Sequence, residues 1–199
     1  MKARIAVLVS GGGTNLQALL DAQVAGALRS GEVVLVVSDQ PGAYALERAR
    51  SMGVEAVVLT EDFEAQLRDL LEARDIDLVV LAGFMRILSA AFTADFDRRI
   101  INVHPSLIPA FCGKGFYGLR VHQAALDYGV KVTGATVHFV NEVPDGGEII
   151  AQKAVPVHPD DTPETLQRRV MEEAEWVLLP RACEMISQSL NKGATVECQ

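Results

Sequence analysis

The first half of the chain alternates short apolar runs with stretches in which apolar residues recur every three or four positions. The runs are Arg4–Val9, Val33–Val37, Val54–Leu59, Asp77–Ala82 and Arg99–His104. Near-continuous apolar character over five or six residues predicts strands covered on both faces. Between them, Leu16, Leu19, Leu20 and Val24 share a helical period, followed by Tyr44–Ser51 and then by Ile87–Phe96. Phe63–Arg74 forms another such stretch, with Phe63, Leu67, Leu70 and Leu71 on one side. Thr14 or Asn15 is placed to cap the first of these helices. Strands alternating with helices predict an α/β fold, a mostly parallel twisted sheet with helices on both faces.

The second half reads differently. Residues 110–119 follow neither period and carry Phe111, Cys112, Phe116 and Tyr117 among glycines. A helix is predicted over Val121–Tyr128, and Val132–Val140 alternates like a strand less buried than the first five. A turn at Asn141–Gly147 leads to a further strand, Glu148–Val155, giving the sheet an antiparallel portion. Thr162 as N-cap and Pro163 at the first helical position open a last helix. There Leu166, Val170, Ala174, Val177 and Leu178 repeat at three and four, ahead of a kink or break at Pro180. With no repeat or linker in sight, residues 1–190 read as a single domain and 191–199 as a frayed tail.

Composition narrows the partners. A net charge of −8 over 199 residues argues against a nucleic-acid surface. No apolar run approaches the ~20 residues of a membrane helix, and Met1–Arg4 passes into the first strand without a cleavage site. Cys112, Cys183 and Cys198 are scattered, lack metal-ligand spacing and read as free thiols of a reducing, cytoplasmic environment. No metal is expected, and monomer and homodimer both stay open. Acidity does not exclude a phosphate, which backbone N–H groups at a helix N-terminus can hold.

Three places could carry chemistry. The turn Ser10–Asn15 joins a strand to a helix; it lacks the third glycine of a dinucleotide fingerprint and the Lys of a Walker loop. It therefore either suits one phosphate on the N–H groups of Gly13, Thr14 and Asn15 or is only a tight turn allowed by its glycines. Residues 83–88, at the exit of the fourth strand, could wall a flat heteroaromatic ring or form a buried loop with Arg86 in a salt bridge. Asn102 and His104, two apart at the exit of the fifth strand, project to the same side as either a structural or a catalytic pair. Asp145-Gly146-Gly147 is first a turn, but a carboxylate on that loop near His104 would raise the histidine's pKa. His122, His138 and His158 have no comparable company and read as structural or surface residues.

Taken together, Ser10–Gln17, Leu81–Ser89, Ile101–Pro109, Gly134–Val140 and Asp145–Gly147 occur in the order and spacing of a known family. The chain resembles the phosphoribosylglycinamide formyltransferases over roughly Arg4–Pro180. The resemblance implies a Rossmann-like formyltransferase fold with 10-formyltetrahydrofolate as co-substrate and 5-phosphoribosylglycinamide as acceptor, in purine biosynthesis. It assigns Asn102, His104 and Asp145 as the catalytic trio, with His104 protonated. Gly13, Thr14 and Asn15 match the phosphate segment, Met85, Arg86, Ile87 and Leu88 the pterin wall, and Asn141, Glu142, Val143, Pro144 and Asp145 the loop over that ring. Asn102 also faces the folate. The family's substrate-amine glutamate matches Glu175 counting back from Pro180, whereas counting forward from Leu166 reaches Ala174; a one-residue insertion lies between, and Glu172 is the second candidate. The resemblance also implies a cis Ile108–Pro109 peptide. The Arg-Glu pair that approaches the cofactor in the family has no counterpart at Glu61–Gln66, and the segment from Phe111 to Arg120 is longer than the family's short loop. The alternative activity is 10-formyltetrahydrofolate hydrolysis.

Overall fold

Among residues 1–193, which the computed structural model describes, the apolar runs pair into a single sheet. Its strands are β1 (Ala3–Val9), β2 (Gly31–Ser38), β3 (Glu55–Val58), β4 (Leu78–Leu81), β5 (Ile100–His104), β6 (Val132–Phe139) and β7 (Ile149–Pro156). The helices are α1 (Thr14–Val24), α2 (Tyr44–Ser51), α3 (Phe63–Ala73), α4 (Ala90–Asp95), α5 (Leu119–Tyr128), α6 (Pro163–Val170) and α7 (Trp176–Lys192), with a π-helical turn, Met171–Glu175, joining the last two. The strand order is β3-β2-β1-β4-β5-β6-β7. The first five strands run parallel, and β6 and β7 are antiparallel to their neighbours. Strand order reverses between β1 and β4, and ligands of open α/β sheets bind in the crevice at such a point.

Alternate side chains of the parallel strands feed two cores. Ile5, Val7, Val36 and Val80 pack with Leu16 and Leu19 of α1 and Leu179 and Ile186 of α7. Ala6, Leu8, Leu35, Val37 and Val79 pack on the other face with Leu67 and Leu71 of α3 and Phe92 of α4. This two-sided cover is why those strands carry no polar alternation.

Several sequence expectations need correction. β6 is buried from Thr133 to Phe139 despite its alternation. Ala135, Val137 and Phe139 join the apolar core, while Thr136 lies under the turn after β5, where its hydroxyl oxygen accepts from the Ile108 N–H at 3.0 Å. The fourth helix starts only at Ala90, because the backbone before it is bonded elsewhere: Met85 N–H to Ser10 Oγ at 2.9 Å and Ser89 N–H to Glu64 Oε1 at 2.6 Å. Neither Thr14 nor Asn15 caps α1; the N-cap is Gly13, with φ 73°. Pro180 sits inside α7 without ending it, and Val177 is 46% exposed. The irregularity lies upstream, where the π-helical turn absorbs the extra residue that broke the count between Leu166 and Pro180. α7 continues through Asn191, whose Nδ2 donates to the Ser30 carbonyl at 2.9 Å. The rest of that tail, 194–199, with Cys198, lies outside the described residues. Ile108–Pro109 is cis, as expected. Among the described residues no helix is long and apolar enough to cross a membrane, and no group of three His, Cys, Asp or Glu could hold a metal ion.

Candidate active site

A cavity of about 520 Å³ opens at the carboxyl ends of β1, β4 and β5. That is a usual size for a small-molecule site. A larger groove of about 780 Å³ runs between α1 and α7, but its lining is predominantly apolar and holds neither Asn102, His104 nor Asp145.

The turn after β1 builds one end of the cavity. A Cβ on Gly13 would stand 2.5 Å from the Ala45 Cβ, so only glycine allows this turn to lie against α2. Gly13 shapes the turn but does not line the cavity; Thr14 and Asn15 do. The Asn15 side chain is committed across the site, donating from Nδ2 to Glu175 Oε2 at 2.7 Å. Glu175 also lines the cavity, whereas Glu172 is exposed on the outer side of the π-helical turn. The structure thus separates the two glutamates that sequence counting left open. Burial pushes the Glu175 carboxyl up to about 7, against the lowering effect of the Asn15 hydrogen bond.

At the other end, Met85, Arg86, Ile87 and Leu88 line the wall, and Asn141, Val143, Pro144 and Asp145 line the facing loop. Glu142 of that loop points away and is exposed. Arg86 lines the cavity and pairs with Asp39 at 3.2 Å, but the loop is not the buried one expected as the alternative, since Gly83, Met85, Arg86 and Ile87 are exposed. The loop is held close by Gly147, where a Cβ would meet the Phe139 carbonyl oxygen at 1.8 Å.

Between these ends stand Asn102 and His104. Asn102 Nδ2 donates to Asp145 Oδ1 at 3.4 Å, and His104 Nδ1 lies 3.4 Å from Asp145 Oδ2. The Gly113 N–H donates to Asp145 Oδ2 at 2.8 Å. Burial opposes ionisation of Asp145, but the adjacent His138 ring, the His104 charge and the Gly113 N–H together hold its pKa below the ordinary value. His104 Nε2–H donates to the Phe111 carbonyl at 2.9 Å. Two acceptors therefore face the two ring nitrogens of His104. Even so, burial lowers its pKa from the ordinary value, outweighing Asp145 and the Phe111 carbonyl, which raise it. The expectation of a raised His104 pKa is corrected on this point. Asp145 and Phe111 both sit at positive φ, 56° and 50°. Such conformations cost L residues roughly 1–2 kcal/mol each and recur where a site fixes its geometry.

Sequence reasoning missed His138. Antiparallel pairing sets it directly opposite Asn102, and its Nε2 lies 3.2 Å from Asn102 Nδ2 and 3.6 Å from Asp145 Oδ1. Its Nδ1–H donates to the Phe139 carbonyl at 2.7 Å, and its Nε2 faces both the Asn102 amide and the Asp145 carboxylate. His122 is also buried and lines the cavity; burial, joined by the nearby His104, lowers its pKa to about 4. The one legible signal for His138 was its place in a strand that could pair with β5, which single-residue inspection does not weigh.

A half-buried amide, buried imidazoles and an ionised carboxylate around one cavity can stabilise charge developing on a carbonyl oxygen and move a proton. The chain belongs to the formyl transferase family, whose pattern matches residues 3–182. Within it, the chain is 43% identical over 193 residues to the trifunctional purine biosynthetic protein adenosine-3 of Drosophila melanogaster, covering 93% of this chain and 14% of that protein. It is 40% identical over 184 residues to the phosphoribosylglycinamide formyltransferase of Haemophilus influenzae, covering 89% and 84%. The crystal structure of glycinamide ribonucleotide transformylase 1 from Symbiobacterium toebii superposes with a TM-score of 0.88 at 44% identity, covering 94% and 89%. The chain thus spans most of some relatives and a small part of the multifunctional ones.

Proposed function

We propose that this chain transfers the formyl group of 10-formyltetrahydrofolate to the amine of 5-phosphoribosylglycinamide, giving the formylated ribonucleotide and tetrahydrofolate in purine biosynthesis. The observation that carries the reading is a single cavity with two unlike ends. One end offers helix N-terminal amides and a buried glutamate, suited to a phosphorylated amine; the other offers an apolar wall and a closing loop, suited to a flat ring. Holding both reactants in one cavity makes the attack effectively unimolecular.

In this reading the neutral substrate amine attacks the formyl carbon and the carbonyl oxygen gains negative charge. Asn102 Nδ2–H and His104 Nε2–H are the donors that serve it, each exchanging a resting partner for that oxygen: Asp145 Oδ1 or His138 Nε2 for the amide, the Phe111 carbonyl for the imidazole. His104 starts with its pKa depressed by burial, and the negative charge on that oxygen is what favours its protonated form; Asp145 keeps Nδ1 oriented. The carbon–nitrogen bond to the folate then breaks, and the proton lost by the amine reaches the departing folate nitrogen with Asp145 assisting. Glu175 accepts from the amine in this reading, which its bond from Asn15 and its place in the cavity lining support.

The test is consumption of 10-formyltetrahydrofolate with and without 5-phosphoribosylglycinamide. Consumption that depends on the amine, with formylated product, is expected. Equal consumption without it identifies a hydrolase and overturns the reading.

A further inference from the structure

The Ser10 side chain lies outside the catalytic group, yet it joins the two ends of the cavity. Its backbone N–H donates to the Gly83 carbonyl at 3.1 Å, so the exits of β1 and β4 are already in contact. Its hydroxyl then makes two bonds of opposite sense: Oγ–H donates to Asp39 Oδ1 at 2.7 Å and Oγ accepts from the Met85 N–H at 2.9 Å. Asp39, at the exit of β2, is 5% exposed, and its second oxygen takes Arg86 Nε at 3.2 Å and Gln40 Nε2 at 3.3 Å. Arg86 reaches onward to the Thr60 carbonyl at 3.2 Å, and its guanidinium lies over the Phe63 ring at 4.9 Å. Phe63 stacks on Phe84 at 5.4 Å. The wall is thus fixed at the Met85 amide, the Arg86 guanidinium and the Phe84 ring, and the first of these fixings runs directly through Ser10.

Ser10 is also the first residue of the turn that ends in Gly13, Thr14 and Asn15. A phosphate drawn onto those amides acts on a segment whose other end holds the ring wall. We infer that Ser10, with Asp39, is a positioning residue that couples the two substrate subsites, so that occupation of either tightens the other. Linkage requires the coupling to be reciprocal, the same factor appearing in both directions. Coupling of this kind usually amounts to about 5–150-fold in affinity. An arrangement serving only folding would support the wall without making its affinity depend on the nucleotide.

This inference rests on the substrate assignment proposed above. The experiment titrates the whole chain by calorimetry with tetrahydrofolate, with 5-phosphoribosylglycinamide, and with each in the presence of saturating amounts of the other. The wild-type chain is expected to bind each ligand at least fivefold tighter when the other is present, by equal factors. Ser10→Ala should bring that ratio to near one and raise the KM for the formyl donor about tenfold, more than it lowers kcat. Ser10→Thr, which keeps the hydroxyl, should restore the ratio. Asp39→Asn, which retains an acceptor for Ser10 but removes the carboxylate charge that faces Arg86, should give an intermediate ratio and decides the matter if Ser10→Ala does not fold. A wild-type ratio of one overturns the inference, as does an Ala variant that weakens both ligands while keeping the wild-type ratio. If the wild-type chain binds neither ligand, the substrate assignment itself has failed, and that outcome is distinct from a missing coupling.

Discussion

Glu175→Gln separates the electrostatic cost of the site from its use. Glu175 is 6% exposed, and burial raises its carboxyl pKa from the ordinary 4.5 to about 7. Because the folded-state pKa is the higher one, the folded chain holds a proton that the unfolded chain releases. The resulting stability is fully present below the unfolded value and is lost as pH rises through the folded value. At about 1.4 kcal/mol per unit, the shift is worth roughly 3 kcal/mol in all, of which roughly 2.5 kcal/mol is lost between pH 5 and pH 8. Glutamine carries no charge and keeps an oxygen for the Asn15 Nδ2 donor. Urea unfolding of the ligand-free protein at pH 5 and pH 8 should therefore show the Gln variant gaining on wild type by roughly 2.5 kcal/mol at the higher pH. In turnover the same variant should raise the KM for the amine substrate, because the ionised acceptor is gone, and the acid limb near pH 7 in wild-type KM should disappear. A stability difference that does not change with pH, or that favours wild type as pH rises, refutes the argument.

Other outcomes follow from the same geometry. His104→Ala and Asp145→Asn should each lower kcat by at least ~10²–10³, the usual cost of losing a donor aimed at an oxyanion, while calorimetric binding of 5-phosphoribosylglycinamide changes little; near-normal turnover in either variant contradicts their roles. His138→Ala removes the ring nitrogen that faces Asn102 and Asp145 and should reduce kcat by about tenfold with unchanged KM for the nucleotide, as expected for one modest hydrogen bond that orients the pair. Deleting Glu173 should convert the π-helical turn to α-helix while Glu175 still faces the cavity; circular dichroism and a nucleotide KM within a few-fold of wild type check this, and loss of nucleotide binding shows that the insertion itself sets the glutamate's position. Gly13→Ala forces an L residue to φ 73° against Ala45 and should cost at least about 1–2 kcal/mol in thermal unfolding together with weaker nucleotide binding.

The order of strands and helices, the parallel character of the first five strands and the antiparallel remainder could all be read from hydrophobic period. Continuous runs such as Val33–Val37 admit little else, because a strand buried on both faces tolerates no polar alternation. The turn at Ser10–Asn15 and the Asn102–His104 pair at the exit of β5 were likewise local facts, set by glycines, strand period and prolines. The tertiary structure decided what depends on distant segments meeting. Pairing of β6 against β5 put His138 opposite Asn102, and the crossing of the last helices brought Glu175 onto Asn15, 160 residues away in sequence. A one-residue insertion made Glu175 and Glu172 indistinguishable by counting, and only the π-helical turn, by its geometry, assigned one to the cavity and the other to the surface. The charge of His104 belongs to the same class. Its partner Asp145 could be named in advance, but the depth of burial that outweighs that partner is a property of the assembled fold.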